Sequence, residues 1–409
     1  IKKTLQQIIC LKIIIILSKM IKKKFIILSE VPLSKKIYKS WYINDLFKIF
    51  RKNIEFWDLS NFKYKKNKDP FKLKNKYIKK FDNLTEIKKE LKKDPTTKKI
   101  VMSLIPISFD SNVLHKMFKQ FSCYLIHIVW GYMPNDDVKI SQKITKNIFL
   151  MIRFKIPIRN IIKKLFLKFK SDKSKNFDLV FFAGKKCQLR AKKLSNNYVP
   201  THLVDYDNYL QTSKNKSKIT KYCVFLDQAY TCHSDDLTGL KKIKKKHIEY
   251  YKSLDTFFCK LEKKYKIKVK IALHPKNYLS KKFFFGRETI SGNTAKVVSE
   301  SIFVLAHTSL SISYAVLNFK PIIFMNSSVF EKYSDFGEDV RIAKILAKYL
   351  GSEFLNIDKY FSNHALNFTV KKSLYNKYKY NYIVSRKYEQ LSSKKIFLTQ
   401  LKNSLNFIT

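Results

Sequence analysis

The chain has 409 residues, 45% of them hydrophobic and 15% aromatic, which excludes wholesale disorder and exceeds what a single core usually serves. Seven Gly and nine Pro exclude collagen-like and linker-dominated classes. Lys+Arg 83 against Asp+Glu 31 leaves a net charge of +52, the largest departure from an ordinary globular composition.

Residues 8–17 are apolar but interrupted by Lys12, about half the length a bilayer span needs. Residues 1–19 therefore read as upstream read-through or a signal-like fragment, peripheral to the fold. From Lys22 short apolar runs alternate with helical periods, the mark of α/β layering. Residues 25–29 read as a first buried strand, 41–50 as a crossover helix and 54–59 as a second strand. A helix near 84–91, a strand at 99–107, a helix capped by Ser111 and running to Phe121, and a strand at 123–129 follow. Residues 149–170 form a basic helical pattern whose apolar face suits packing on a sheet better than membrane contact. Strands resume at 178–182 and 201–204.

The polar stretch 211–220 (QTSKNKSKIT) has no apolar period and marks a linker between an N-terminal domain, 20–210, and a C-terminal domain, 221–360. Beyond it lie strand 222–226 ending in Asp227, a long helix over 240–265, strand 269–273 ending in His274-Pro275, and strand 301–306 ending in His307-Thr308-Ser309. A helix begins at Ser311, a strand spans 321–325, and a helix over 340–350 is closed by Gly351. The tail, 361–409, is Lys/Tyr-rich and helical. The fold class expected is α/β, two Rossmann-like doubly wound domains facing across a cleft.

The charge invites a nucleic-acid reading, but only seven basic residues are Arg (51, 153, 159, 190, 287, 341 and 386), the type suited to bidentate phosphate and guanine contacts. The lysines also spread along the whole chain, so most of the charge reads as compositional drift on solvated faces, with an attraction to anionic membrane surfaces as a by-product. No specific nucleic-acid partner is expected. Six Cys lie far apart, with no CxxC and no zinc spacing, which fits a reduced, cytoplasmic compartment.

In open parallel sheets ligands bind beyond the carboxyl ends of the strands, and that rule selects Asp227, His274 and the run from His307 to Ser311. Thr308, Ser309 and Ser311 put hydroxyls and free N–H groups at a helix start, where a phosphate is favoured; helix capping by Ser309 or Ser311 is the simpler role and is compatible with it. His274 can donate to a leaving phosphate; alone, a His-Pro is a surface turn. Asp227 can deprotonate an acceptor hydroxyl or hold a loop backbone, and both readings stand. His233, Asp235 and Asp236 follow it. Asp205-Tyr206-Asp207 has the form of a metal-binding DxD, but its setting favours a turn or an interdomain contact. Arg287-Glu288 and Glu300 are lesser candidates for phosphate or ribose.

With those residues in view, 220–350 resembles the nucleotide-binding half of GT-B glycosyltransferases that build bacterial surface polysaccharides, most of all the sialyltransferase and polysialyltransferase type. The likeness rests on an acidic motif at Asp227, the His274-Pro275 pair and the Thr308-Ser309 pair. It departs from the family in having Leu-Asp-Gln in place of a paired acid followed by Gly, and Thr-Ser in place of Ser-Ser. The resemblance implies a metal-independent GT-B enzyme with no cofactor beyond its nucleotide-sugar co-substrate, CMP-linked by preference. Asp227 would be the base, His274 would assist phosphate departure, and Pro275, His307, Thr308, Ser309, Ser311 and Arg287 would lie about the nucleotide. The implied acceptor is a lipopolysaccharide or capsule glycan, on the inner face of the membrane. Alternatives are a polyol-phosphate transferase or nucleotide-sugar epimerase on the same scaffold, and a non-catalytic polyanion binder.

Overall fold

The computed structural model describes residues 23–63, 77–134, 175–214, 220–230, 245–275, 283–332, 337–360 and 364–406. The expected helix at 149–170, the start of the helix expected from 240, residues 1–19, His233, Asp235 and Asp236 lie outside them.

Two parallel sheets organise the chain. The first holds β1 (Lys23–Ser29), β2 (Ile54–Asp58), β3 (Ile78–Lys80), β4 (Lys98–Ser103), β5 (Tyr124–Val129), β6 (Leu179–Ala183) and β7 (Tyr198–Thr201), in the order β3-β2-β1-β4-β5-β6-β7. The second holds β8 (Tyr222–Leu226), β9 (Lys268–Ala272), β10 (Thr289–Ile290), β11 (Val304–Ala306), β12 (Ile322–Asn326) and β13 (Glu353–Asn356), in the order β10-β9-β8-β11-β12-β13. Every pairing is parallel. Each order reverses once, between β1 and β4 and between β8 and β11, so both domains are doubly wound with a switch point.

Strands buried on both faces need unbroken apolar runs. In β1, Phe25 and Ile27 enter one core while Ile26 and Leu28 enter the other. In β8, Cys223 and Phe225 face one side and Val224 and Leu226 the opposite side. The crossover helix Lys245–Tyr265 buries Tyr250, Tyr251, Leu254, Phe257, Phe258 and Leu261, a helical spacing, over one face of the second sheet.

Several elements depart from expectation. The helix expected to be capped by Ser111 is Phe109–Gln120, capped by Ser108; Ser111, three residues on, returns the bond to the Ser108 N–H as a capping box. The strand expected at 201–204 is β7, ending at Thr201; it is an edge strand, which is why it tolerates Pro200. Residues 205–213 are a helix, Asp205–Ser213. β11 is shorter than the expected 301–306, since Ser301 closes the preceding helix, Thr294–Glu300.

The tail does not stay with the second domain. Helix Lys372–Tyr378 and the π-turn Lys379–Ile383 pack Tyr375, Tyr378, Tyr382 and Ile383 into the core of the second sheet. Helix Ser393–Asn406 then lays Phe397, Leu401 and Leu405 on the first sheet, against Phe25, Ile27 and Phe181. At the crossing, Gly184 (φ +74) sits so close to the backbone of Asn381 that a Cβ would collide with its carbonyl group. Gly184→Ala is expected to destabilise the protein by about 2 kcal/mol or more, through both the positive φ and the collision. A urea midpoint equal to wild type would show that the returning tail is not held there.

Candidate functional site

At the second switch point the ends of β9, β8 and β11 stand side by side. Asp227, directly after β8, is 5% exposed and spends its carboxylate on the backbone: Oδ1 accepts from the Ala229 N–H at 2.9 Å and Oδ2 from the His274 N–H at 3.1 Å. Ala229, buried and non-glycine, is held at φ 52, a left-handed conformation that costs energy and that this carboxylate helps sustain. His274 is half-buried and Pro275 exposed at the end of β9.

Gln228 ties β8 to β11. Its Oε1 accepts from the Thr308 N–H at 2.8 Å and the Tyr230 hydroxyl at 2.8 Å, while Nε2 donates to Thr308 Oγ1 at 2.7 Å. The Thr308 hydroxyl in turn donates to Asp339 at 3.1 Å, in the first turn of helix Gly337–Leu350. Burial raises the Asp339 carboxyl above its ordinary pKa, against the lowering effect of the Thr308 bond. Ser309 Oγ accepts from the Ser311 N–H at 3.3 Å, and Ser311 occupies the N-cap position of helix Ile312–Leu317 without a side-chain capping bond. Both serines are half-exposed, and among the described residues neither hydroxyl donates to a protein acceptor.

The structure thus gathers Asp227, His274, Pro275, Thr308, Ser309 and Ser311 on one edge. Two expected members leave it. His307 is 2% exposed; Nδ1–H donates to the Met325 carbonyl at 2.7 Å, so Nε2 accepts from the Tyr250 hydroxyl at 2.7 Å. Ringed by Phe225, Tyr230 and Phe330, it is a core histidine with no nitrogen left for a phosphate. Arg287 precedes β10 at the opposite end of the strands. Its guanidinium bridges Asp255 and Glu262 and lies over Phe258, so it braces the crossover helix. Glu300 accepts from the Tyr222 hydroxyl at 3.3 Å and Glu288 pairs with Lys270, also away from the edge.

The DxD-like pair is an interdomain clamp. Asp205 accepts from Ser313 Oγ at 2.5 Å and the Tyr314 hydroxyl at 3.1 Å in the second domain. Asp207 accepts from the Tyr42 hydroxyl at 3.1 Å and from the N–H groups of Ser393 and Lys394 at 2.5 and 3.0 Å, capping the last helix from outside. Among the described residues no group of three or more metal-ligating side chains assembles.

The first domain presents the loop after β5 to this edge. A Cβ on Gly131 would lie 3.5 Å from Leu310 Cδ1, and Leu310 is exposed between Ser309 and Ser311. The carboxyl edges of the two sheets therefore face each other. Sequence reasoning missed Asp339 and the role of Gln228; the Gly-Glu-Asp start of the helix was the available signal for the first.

No protein-family model and no curated protein matches the chain. Solved structures similar to it include UDP-GlcNAc 2-epimerase from Methanocaldococcus jannaschii in complex with UDP-GlcNAc and UDP (12% identity, 87% of this chain and 98% of that one, TM-score 0.41). The wall teichoic acid polymerase TagF is similar at 10% identity over 95% and 92% of the two chains, with a TM-score of 0.46. The calicheamicin glycosyltransferase CalG4 is similar at 8% identity over 92% and 93%, with a TM-score of 0.44.

Four buried histidines among the described residues make stability depend on pH. Burial lowers the pKa of His115 to about 3 and those of His127 and His307 to about 4, and it lowers that of His202 as well. Their unfolded forms titrate near 6.5, so between pH 6.5 and 4 the unfolded chain takes up protons the folded one refuses, and stability falls with pH. The urea midpoint is expected to drop steadily from pH 7 to 5; a flat profile would mean these rings are protonated in the fold.

Proposed function

We propose that this chain is a glycosyltransferase that moves a sugar from a nucleotide-sugar donor, CMP-linked by preference, to a lipopolysaccharide or capsule glycan. The observation that supports it most is the adjacency of His274, Asp227 and Thr308-Ser309 on three neighbouring strand ends at a switch point, opposite the edge of a second doubly wound domain. The donor phosphate is assigned to the Ser309 and Ser311 hydroxyls, with Thr308 fixing the loop that carries them. An acceptor hydroxyl oxygen bonds to the anomeric carbon as the bond from that carbon to the phosphate oxygen breaks, and the hydroxyl proton is released to water. His274 donates a hydrogen bond or proton to the departing phosphate. Asp227, with both oxygens on backbone N–H groups, is assigned a positioning role, holding the His274 backbone in place of the base role the family resemblance implies.

The reaction is proposed to need no metal, because the one DxD-like pair is occupied between the domains. No described helix is long and apolar enough to cross a membrane, and the positive surface suits an acceptor presented at an anionic bilayer.

Binding of the right nucleotide is expected to raise the unfolding temperature in a screen of CMP, CDP, UDP and GDP, by an amount equivalent to about 2.7 kcal/mol at a hundredfold excess over Kd. No shift with any of the four would overturn the reading. His274→Ala should lower transfer by roughly 10² or more with the fold and the nucleotide shift intact, in assays that EDTA does not inhibit. Asp227→Asn should retain more turnover than His274→Ala; equal loss would restore Asp227 as the base. A nucleotide-sugar epimerase, the second reading, would change the donor with no acceptor present.

A further inference from the structure

A cavity of about 610 Å³ lies where the ends of β6 and β7 meet the returning tail, away from the strand ends of the second switch point. Its floor includes the buried Phe182 and Val384, and its rim carries Lys185, Lys377, Arg386 and Lys387. None of its lining residues is acidic. Arg386 stands out among them. Its guanidinium carbon lies 4.3 Å from the Tyr380 ring centroid, and no carboxylate among the described residues meets it. Arg287 and Arg341, by contrast, each hold carboxylates. The acid nearest in the chain, Glu389, is already taken by Lys379 and the Tyr380 hydroxyl.

Four cations around one space with no counter-charge repel one another, and an oxyanion placed among them relieves that repulsion. A planar guanidinium is the side chain best matched to a carboxylate or phosphate. The apolar floor, in turn, offers nothing to a bare ion but suits the C–H face of a sugar ring, and the volume lies within the range of small-ligand sites. We propose that this cavity binds a saccharide bearing a carboxylate or phosphate. Its role as the seat of an anionic acceptor glycan rests on the transferase reading; the binding itself does not.

Calorimetric titration of the full chain with glucose 6-phosphate, glucuronate, glucose and inorganic phosphate tests it. At least one of the two charged sugars is expected to bind roughly tenfold or more tightly than glucose, and more tightly than inorganic phosphate; which of them does so identifies the oxyanion. The double variant Arg386→Gln/Lys377→Gln should lose roughly tenfold in that affinity. Lys395→Gln/Lys402→Gln, which removes the same charge from exposed positions on the last helix, should leave it unchanged. Equal weakening in both variants, equal binding of glucose, binding of inorganic phosphate as tight as that of the charged sugar, or no binding of either charged sugar overturns the proposal. Charged-sugar binding without any nucleotide shift would overturn the transferase reading alone, and a nucleotide shift without charged-sugar binding would overturn this one alone.

Discussion

The architecture depends on two carboxylates set two residues apart in one helix. Successive helical residues turn by about 100°, so residues i and i+2 project about 200° apart around the axis. Asp205 therefore reaches Ser313 and Tyr314 in the second domain, while Asp207 reaches Tyr42 and the start of the last helix beside the first. Each charge is met by hydroxyl or N–H donors in a half-buried setting, where bonds to a charged group contribute about 1.5–3 kcal/mol at most. The same geometry that makes Asp205 and Asp207 a clamp prevents them from closing on one metal ion. His202 reinforces the join: the Ser385 N–H donates to Nδ1, so the proton sits on Nε2 and is donated to the Tyr388 carbonyl.

That join fixes how the two carboxyl edges meet, and the second edge is tied together where its sheet ladder ends. Just past the last residues of β9 and β8 the backbone ladder ends in single bonds, the Asp227 N–H to the Ala272 carbonyl at 3.0 Å and the Leu273 N–H to the Ile290 carbonyl at 2.9 Å, and side chains add to them. Asp227 bonds the β9 end to β8, and Gln228 bonds β8 to β11 through Thr308, which passes the connection to Asp339. A phosphate-binding loop must be held in place before the ligand arrives if its hydroxyls are to act without reorganisation. For the phosphate-binding role proposed here, the latched Thr308 beside Ser309 and Ser311, whose hydroxyls donate to no acceptor among the described residues, meets that condition.

Much of this was legible in the sequence. Strands such as β1, β8 and β12 are buried on both faces and show as unbroken apolar runs, and the switch-point rule then marks Asp227, His274 and Thr308 without any coordinates. β3, β10 and β13 were not legible, because IKK, TI and EFLN are too short or too polar to carry a period. The return of the tail to the first sheet leaves no local trace, since Ser393 meets Leu203 across 190 positions. For the same reason His307 and Arg287 were misassigned. Their partners, Tyr250, Met325, Asp255 and Glu262, are distant in the chain, and only the packed structure shows that their polar atoms are already taken.

The charge imbalance has a structural side as well. The scarce acidic residues repeatedly serve as internal acceptors: Asp178 for the Leu125 N–H, Asp227 for Ala229 and His274, Glu262 for Val269, and Asp358 for Ser327 and Ser328. Carboxylates used in this way have oxygens committed to N–H and hydroxyl donors of the protein, while exposed lysines keep their ammonium groups in water. The field outside the protein is positive, as the net charge of +52 implies. A field of this kind, screened within about 10 Å at ordinary ionic strength, raises the encounter rate with any polyanion but cannot choose among polyanions. Selection has to come from places where cations, apolar surface and shape coincide. The cavity beside Arg386 combines an apolar floor with a rim free of acids, whereas the one beside Tyr42 contains Asp45 and Asp207.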